Sequence, residues 1–508
     1  MKLRPYQSTG RDQILACIQR RAHVLYVLPT GGGKSVVIAS VIATLAALGW
    51  RICLIAHRDE LVQQLSGALS AAGVDHGVIA PGHELTGHNV HVASVATLDR
   101  RRNDPSIRAW LASLDLLVPD EAHHTPAGQW QRIIGAALNA TRFGATATGY
   151  RLDGRGLGDT FGEAVRGPAI RWLVRMGYLA GLKVYAPPVP LVGMEAVGKS
   201  MGDYKRSDLA KVMNTPEVLR AAVAWYGRLM AGKKVLSFCV DLDHVAATDA
   251  AFEAAGWHSA TVDGTMTQAD RRAVVDAFRS GRTQQLASCE LIGEGFDVPA
   301  VAGALMKRRT MSTGLYQQQN GRPMRPVYAA GFDSRAHDGE GTGDVLARLG
   351  AMARGPKPHG IVVDLVGNVT HHGMPDADRP WTLQGGVAGL ERQVPPTSRC
   401  PRCYLVVEAG ADRCPGCGAE YVARLSVTVN GVPLHLLPPV GGLPAATIAT
   451  MDFPSLTRLD LPRADWERVA EIRQVAPKAK DRREWAARVA EQAGKTVRNS
   501  HLLAGGAA

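Results

Sequence analysis

Between Val24 and Phe143 the chain alternates short apolar runs with amphipathic stretches: VLYVL, a helical pattern over 36–48, RICLIA, a helix over 59–71, NVHVASVAT, LDLLV and TRFGATAT. Strands separated by whole helices need crossover connections and therefore predict parallel βαβ units. The rhythm restarts at Lys234 with VLSFCV, a helix over 241–255, HSATVDG, a helix over 267–280, TQQLASC, VAGALMK and GIVVDLV at 360–366. Two α/β layers are expected, joined by a segment over 163–230 that behaves differently. That segment contains APPVPLVG, whose three prolines forbid regular strand pairing, and then turns helical through SDLAKVMNTPEVLRAAVAWYGRLM. The stretch 331–358 holds six glycines and two prolines with mixed charge, and reads as a mobile loop. Beyond it, 421–450 lacks clear periodicity, and 464–493 regains helical spacing interrupted by Pro477.

At 508 residues the chain is too long for one ordinary core, and about three domains are expected. A hydrophobic content of 46% with 20% charged residues is that of a globular protein. The formal excess of +12 favours a polyanionic partner, because clustered Lys and Arg release counterions from phosphates. No signal peptide opens the chain, and the most apolar stretch, Val36 to Trp50, is too short to cross a bilayer. The expectation is a cytoplasmic protein with no membrane partner, bacterial or phage-encoded if its richness in Ala, Gly and Arg reflects a GC-rich genome.

Two segments carry nucleotide chemistry. In LPTGGGKS at 28–35 a strand feeds a glycine loop whose amides converge on phosphate oxygens at the positive end of the next helix. Thr30, Gly31 and Gly33 shape the loop, Lys34 would neutralise the β and γ phosphates of ATP, and Ser35 would ligate Mg2+. Leu28 stands where the strict phosphate-loop pattern has its first glycine. In VPDEAHH at 118–124 the acidic pair follows a buried strand, at the end where α/β sheets bind ligands. Asp120 would hold Mg2+ and Glu121 would orient and deprotonate the attacking water. His123 and His124 lack the H-E-x-x-H spacing of a zinc protease.

Cys400, Cys403, Cys414 and Cys417 form C-x2-C, ten intervening residues, C-x2-C. Two such knuckles supply four thiolates in a tetrahedron and predict Zn2+, either as a structural anchor or as part of a contact with DNA or a partner. The remaining cysteines, Cys17, Cys53, Cys239 and Cys289, lie among apolar residues and read as core positions.

The ordered set of motifs resembles superfamily 2 helicases of the DEAD/DEAH type, specifically the group around type III restriction helicase subunits, the phage UvsW helicase and XPB-like repair enzymes. The resemblance covers about 1–375. It implies that LRPYQ reads adenine through Gln7, and that LIAHRDELVQQ and VASVATL grip a strand. It implies also that Thr146 and Thr148 in GATATGYRLDG couple hydrolysis to the nucleic-acid face. The family commonly has proline after T-A-T, and this chain has Gly149. In the second half, Gly295 and Asp297 would sense nucleotide and strand. Gln318, Gly321, Arg322 and Arg325 fit Q-x-x-G-R-x-x-R, with both arginines reaching the γ-phosphate.

The fold expected is thus α/β, with two tandem RecA-like domains bearing parallel sheets, then a small four-cysteine zinc ribbon and a helical tail. The boundaries expected are 1–162 and 231–375 for the two domains, 163–230 for the connector, 376–398 for a linker, 399–420 for the ribbon and 421–508 for the C-terminal region. The activity expected is that of an ATP-dependent DNA helicase or duplex translocase. An RNA helicase, and a zinc-dependent nucleic-acid-binding scaffold with an ATPase switch, are the alternatives. No nuclease motif is seen in 376–508, so a restriction role would need a nuclease partner; repair and replication partners are equally compatible.

Overall fold

The computed structural model describes residues 2–149, 156–200, 202–289, 298, 301–379, 381–384 and 395–420, with the backbone of 428–429 and 432–433. Gly295, Asp297 and the tail helices expected over 464–493 lie outside these residues. Residues 1–410 form one unit and 411–508 another.

The first sheet holds β1 (Val24–Val27), β2 (Ile52–Ala56), β3 (Gly77–Ile79), β4 (Val90–Ser94), β5 (Leu116–Pro119), β6 (Thr141–Thr146) and β7 (Glu163–Arg166). Its order is β3-β4-β2-β5-β6-β1-β7, and every pair is parallel. Residues on both faces of β1, β2, β4 and β5 are buried, which is why they read as continuous apolar runs. The helix Lys34–Ala46 buries Val37, Ile38, Val41, Ile42 and Leu45, one stripe of a helical surface, against this sheet. The helix Asp59–Ala71 opens with Asp59 and Glu60, whose carboxylates suit the positive helix end, and buries Leu61, Val62, Leu65 and Leu69.

The second sheet begins with β8 (Leu182–Tyr185). A two-strand hairpin, β9 (Lys199–Ser200) and β10 (Asp203–Tyr204), stands apart from it. The sheet continues through β11 (Val235–Phe238), β12 (Ser259–Thr261), β13 (Gln285–Ser288), β14 (Gly303–Met306) and β15 (Gly360–Asp364). It ends with β16 (Thr397–Arg399) and β17 (Leu405–Glu408), in the order β12-β13-β11-β14-β15-β8-β17-β16. From β12 to β8 the strands are parallel; β17 runs antiparallel to both β8 and β16.

Three stretches differ from the sequence reading. The segment 163–230 is more than a connector, since it gives β7 to the first sheet and β8 to the second. Each has four residues with only one fully buried, which leaves no apolar run to detect. The first cysteine knuckle lies between β16 and β17, so part of the expected ribbon is an edge of the second sheet. Within 331–358, where a mobile loop was expected, residues Thr342–Ala353 form a helix. Its inner face carries Ala351, Met352 and the fully buried Arg348, a charged side chain that hides that face from a hydropathy reading.

Candidate functional site

β1 runs into the loop 28–33, which ends at the first residue of the helix Lys34–Ala46. Gly31 and Gly33 have φ of 83° and 90°, a left-handed backbone that side chains resist. The residues before the loop brace it. Tyr6 Oη donates to the Gly32 carbonyl at 2.8 Å, and Gln7 Nε2 donates to the same oxygen at 3.0 Å. A Cβ on Gly33 would overlap the Gln7 amide. Gln7 Oε1 also accepts from the Arg4 amide at 3.0 Å, so this side chain caps its own helix while holding the loop.

β5 ends at Pro119, and Asp120 continues as a single bridge to Ala145, its amide donating to Ile55 O at 3.0 Å. Glu121 has φ 47°, an unusual strain for a residue with a side chain. Its Oε1 lies 3.3 Å from Lys34 Nζ, and both side chains are 12% exposed. The other carboxylate oxygen lies 3.4 Å from His123 Nδ1, which is 3.1 Å from Thr146 Oγ1. Thr146 Oγ1 accepts the Thr148 amide at 3.2 Å. A continuous polar line thus runs from Lys34 to the end of β6 and the loop after it. The sequence signal for His123 is its place just after the acidic pair, not any metal-ligand spacing.

From the second half, the helix Thr313–Gly321 is capped by Ser312 Oγ, which accepts from Leu315 N at 3.2 Å. It passes into a tight turn, Arg322–Met324. Arg322, Arg325, Thr30, Gly31, Gly33, Lys34, Ser35, Asp120 and Glu121 line one cleft together with Arg4 and Tyr178. A Cβ on Gly321 would stand 2.9 Å from Thr30 Cβ, so glycine there permits the second half to approach the phosphate loop. Gln318 is buried on the same helix. Burial holds the Arg325 guanidinium below its ordinary pKa. Burial, and then the charge of Arg325, push the Lys357 ammonium down to about 7.

Tyr178 carries no motif that marks it in the sequence. The Arg4 and Arg348 guanidiniums lie over its ring, 4.7 and 4.1 Å from the centroid. Arg4 pairs with Asp338 at 3.2 Å. Arg348 donates to the carbonyls of Met176 at 2.9 Å, Gly339 at 2.8 Å and His337. The stretch after the arginine turn is thereby fastened to the start of the chain.

At the cysteine knuckles the amide of Cys403 points at Cys400 Sγ, 3.5 Å away, and that of Gly416 at Cys414 Sγ, 3.4 Å away. The sulfurs of Cys400, Cys403, Cys414 and Cys417 all lie within 4.8 Å of one another. Four converging thiols with amides aimed at sulfur fit a tetrahedral thiolate site for Zn2+.

A phosphate loop and acidic pair on one parallel sheet, closed by arginines from a second, define a two-domain ATP-hydrolysing motor enzyme. The family described as type III restriction enzyme, res subunit, matches residues 1–151, and the helicase conserved C-terminal domain matches 215–327. These matches support a superfamily 2 helicase built of two RecA-like domains. The chain is 25% identical over 396 residues to a 51.5 kDa protein of a Lactococcus phage, covering 77% of each chain. It is 28% identical over 344 residues to the putative ATP-dependent helicase IRC3 of Saccharomyces cerevisiae, covering 64% of this chain and 49% of that one. It is 26% identical over 339 residues to the DNA 3'-5' helicase XPB of Kineococcus radiotolerans, covering 64% of this chain and 57% of that one. The chain thus spans only about half the length of the latter two. A fragment of a putative HsdR subunit of a type I restriction enzyme from Vibrio vulnificus shares the fold, with TM-score 0.54 and 18% identity over 73% of this chain and 65% of that one. Among the described residues no helix is long and apolar enough to cross a membrane.

Proposed function

We propose that this helicase uses ATP and Mg2+ to move along DNA, separating strands or remodelling a duplex. The observation that carries the reading is the meeting of Arg322 and Arg325 with Lys34, Asp120 and Glu121 on one cleft. The helix end at Lys34 receives the phosphates, with Thr30, Gly31 and Gly33 wrapping them. Lys34 exchanges Glu121 for the β and γ phosphates, which frees the carboxylate to hold and deprotonate the attacking water. Ser35 and Asp120 are the side chains that hold Mg2+, which would neutralise phosphate charge. Arg322 and Arg325 stabilise charge on the transferred phosphoryl group only when the two sheets close, so closure gates hydrolysis. Gln7 reads adenine, Gln318 supports the phosphate side, and Thr146 and Thr148 pass the state of the site to the strand-gripping surface. Gly295 and Asp297 complete the set by resemblance alone.

DNA is favoured as the track by relatives named as DNA 3'-5' helicases and by the net charge of +12. Contacts to phosphates are largely sequence-independent, so affinity falls steeply with salt. Zn2+ held by Cys400, Cys403, Cys414 and Cys417 would tie the two knuckles together. A restriction-type nuclease subunit is the partner suggested by a relative that is a subunit of a type I restriction enzyme.

The test is steady-state ATPase without nucleic acid and with single-stranded, duplex and forked DNA and RNA, using Lys34→Ala as control. Stimulation by DNA that vanishes in the variant supports the motor. Stimulation by RNA alone moves the track to RNA, and hydrolysis indifferent to nucleic acid favours an ATPase switch.

A further inference from the structure

Gly149 occupies the position where the resemblance leads one to expect proline, and its backbone φ is not among the positive ones, so conformation does not demand glycine. Space does. A Cβ built on Gly149 would overlap the six-membered ring of the Trp381 indole. Trp381 belongs to the stretch between β15 and β16 of the second sheet, far along the chain from the coupling loop it covers.

The stretch is anchored at both ends. At its root, Tyr316, on the helix that leads to Arg322, donates through Oη to Gly373 O at 2.9 Å and stacks on His372 with ring centroids 4.7 Å apart. Arg379 closes the turn by donating to the carbonyls of His372 at 2.7 Å, Met374 at 3.2 Å and Ala377 at 3.1 Å. At its tip, the Arg166 guanidinium on β7 lies 4.3 Å from the Trp381 ring centroid and donates to Trp381 O at 2.6 Å. Gly158 N donates to Leu383 O at 2.7 Å. Trp381 and Leu383 pack on the buried Leu25, Val27, Ala122, Leu157 and Phe161 of the first domain.

We propose that this stretch is a strap linking the arginine-bearing helix of the second domain to the coupling loop of the first, with Trp381 as the positioning residue for that loop. The strap root moves with Tyr316, and the tip sits on Gly149, one residue after Thr148. Opening or closing of the two sheets is therefore transmitted to the loop by a side chain as well as by the cleft itself. Trp381 touches neither phosphate nor attacking water, and acts through the loop. The proposal rests on the motor reading above.

A mutant cycle on the full chain tests it, with Trp381→Ala, Gly149→Ala and the double variant. The new methyl of Gly149→Ala overlaps the indole, so Tm falls, whereas in the double variant it adds no further loss beyond that of Trp381→Ala. In activity, Trp381→Ala keeps affinity for a fluorescent ATP analogue within about twofold while DNA stimulation of ATPase falls about tenfold. Trp381→Phe, which keeps an aromatic cover, recovers most of that stimulation. Additive Tm changes would show that the ring and Gly149 do not meet and would overturn the strap. Stimulation unchanged in Trp381→Ala overturns the positioning role alone. A wild-type protein whose ATPase no nucleic acid stimulates overturns the motor reading and the role with it, while the Tm cycle still reports the contact.

Discussion

Lys34 Nζ lies 3.3 Å from Glu121 Oε1, joining the phosphate loop to the acidic pair across the carboxyl ends of β1 and β5. The pair is mostly shielded from water, so each charge depends on the other or on a ligand that replaces it. Glu121→Gln keeps the size of the side chain and removes the base. The expected result is ATP turnover lower by about 10²-fold or more, with nucleotide affinity retained. Single-turnover hydrolysis beside equilibrium binding of a fluorescent analogue measures both; equal loss of binding and turnover would argue against the base role.

Arg322 and Arg325 follow the helix Thr313–Gly321 of the second half, whereas the phosphate loop follows β1 of the first sheet. Arg322→Ala and Arg325→Ala should each lower turnover by about 10³-fold with smaller changes in ATP affinity, since a finger acts mainly in the transition state. Lysine at either position should rescue poorly, because a point charge does not reproduce a planar fork.

Lys357 gives a pH dependence of stability. Its ammonium titrates near 7 in the folded protein because burial and Arg325 disfavour the charge, against an ordinary value near 10.4 when unfolded. Between those values the unfolded chain binds the extra proton, so stability rises with pH, by at most about 1.4 kcal/mol per unit from this group. Below about 7 both states are protonated, and this gain is absent. Urea unfolding from pH 6.5 to 9 should show the rise in the wild type and a smaller one in Lys357→Met.

Arg348 is fully buried, with its guanidinium divided between three backbone carbonyls and the Tyr178 ring. Arg348→Met leaves those carbonyls without their donor, at a cost of roughly 3 kcal/mol in urea unfolding. An exposed neighbour on the same helix, Leu346, should tolerate alanine with a change under about 0.5 kcal/mol.

The cysteine group should carry one Zn2+ per chain by elemental analysis. Cys400→Ser, or extraction of the metal by a strong chelator, should lower Tm, since Cys400 N donates to Leu405 O at 2.9 Å at the start of β17. A metal content near zero in the purified wild type would remove the zinc assignment.

Much of the architecture was legible because parallel strands buried on both faces must be apolar throughout. Thus β2, β11 and β15 stood out, as did the helices expected over 59–71 and 267–280, which run Asp59–Ala71 and Gln268–Ser280. β7 and β8 did not, because each buries only one residue deeply. The helix over 342–353 was concealed by its glycines and by a buried arginine that finds carbonyls instead of an apolar wall. In the candidate site, Lys34, Ser35, Asp120 and Glu121 could be singled out because their motifs sit where a strand ends and a helix begins, and the structure brings them to one cleft. Tyr178 and Trp381 could not, since each matters through contacts with residues more than 150 positions away.

β17 is hydrogen-bonded antiparallel to β8, so the parallel part of the second sheet has no bare edge on that side. A chain cut at 375, the apparent end of the motor by motif, would expose the amides and carbonyls of β8 to any passing strand. Such a fragment would keep every nucleotide-binding motif and still self-associate, whereas one extending past Glu408 carries its own cover.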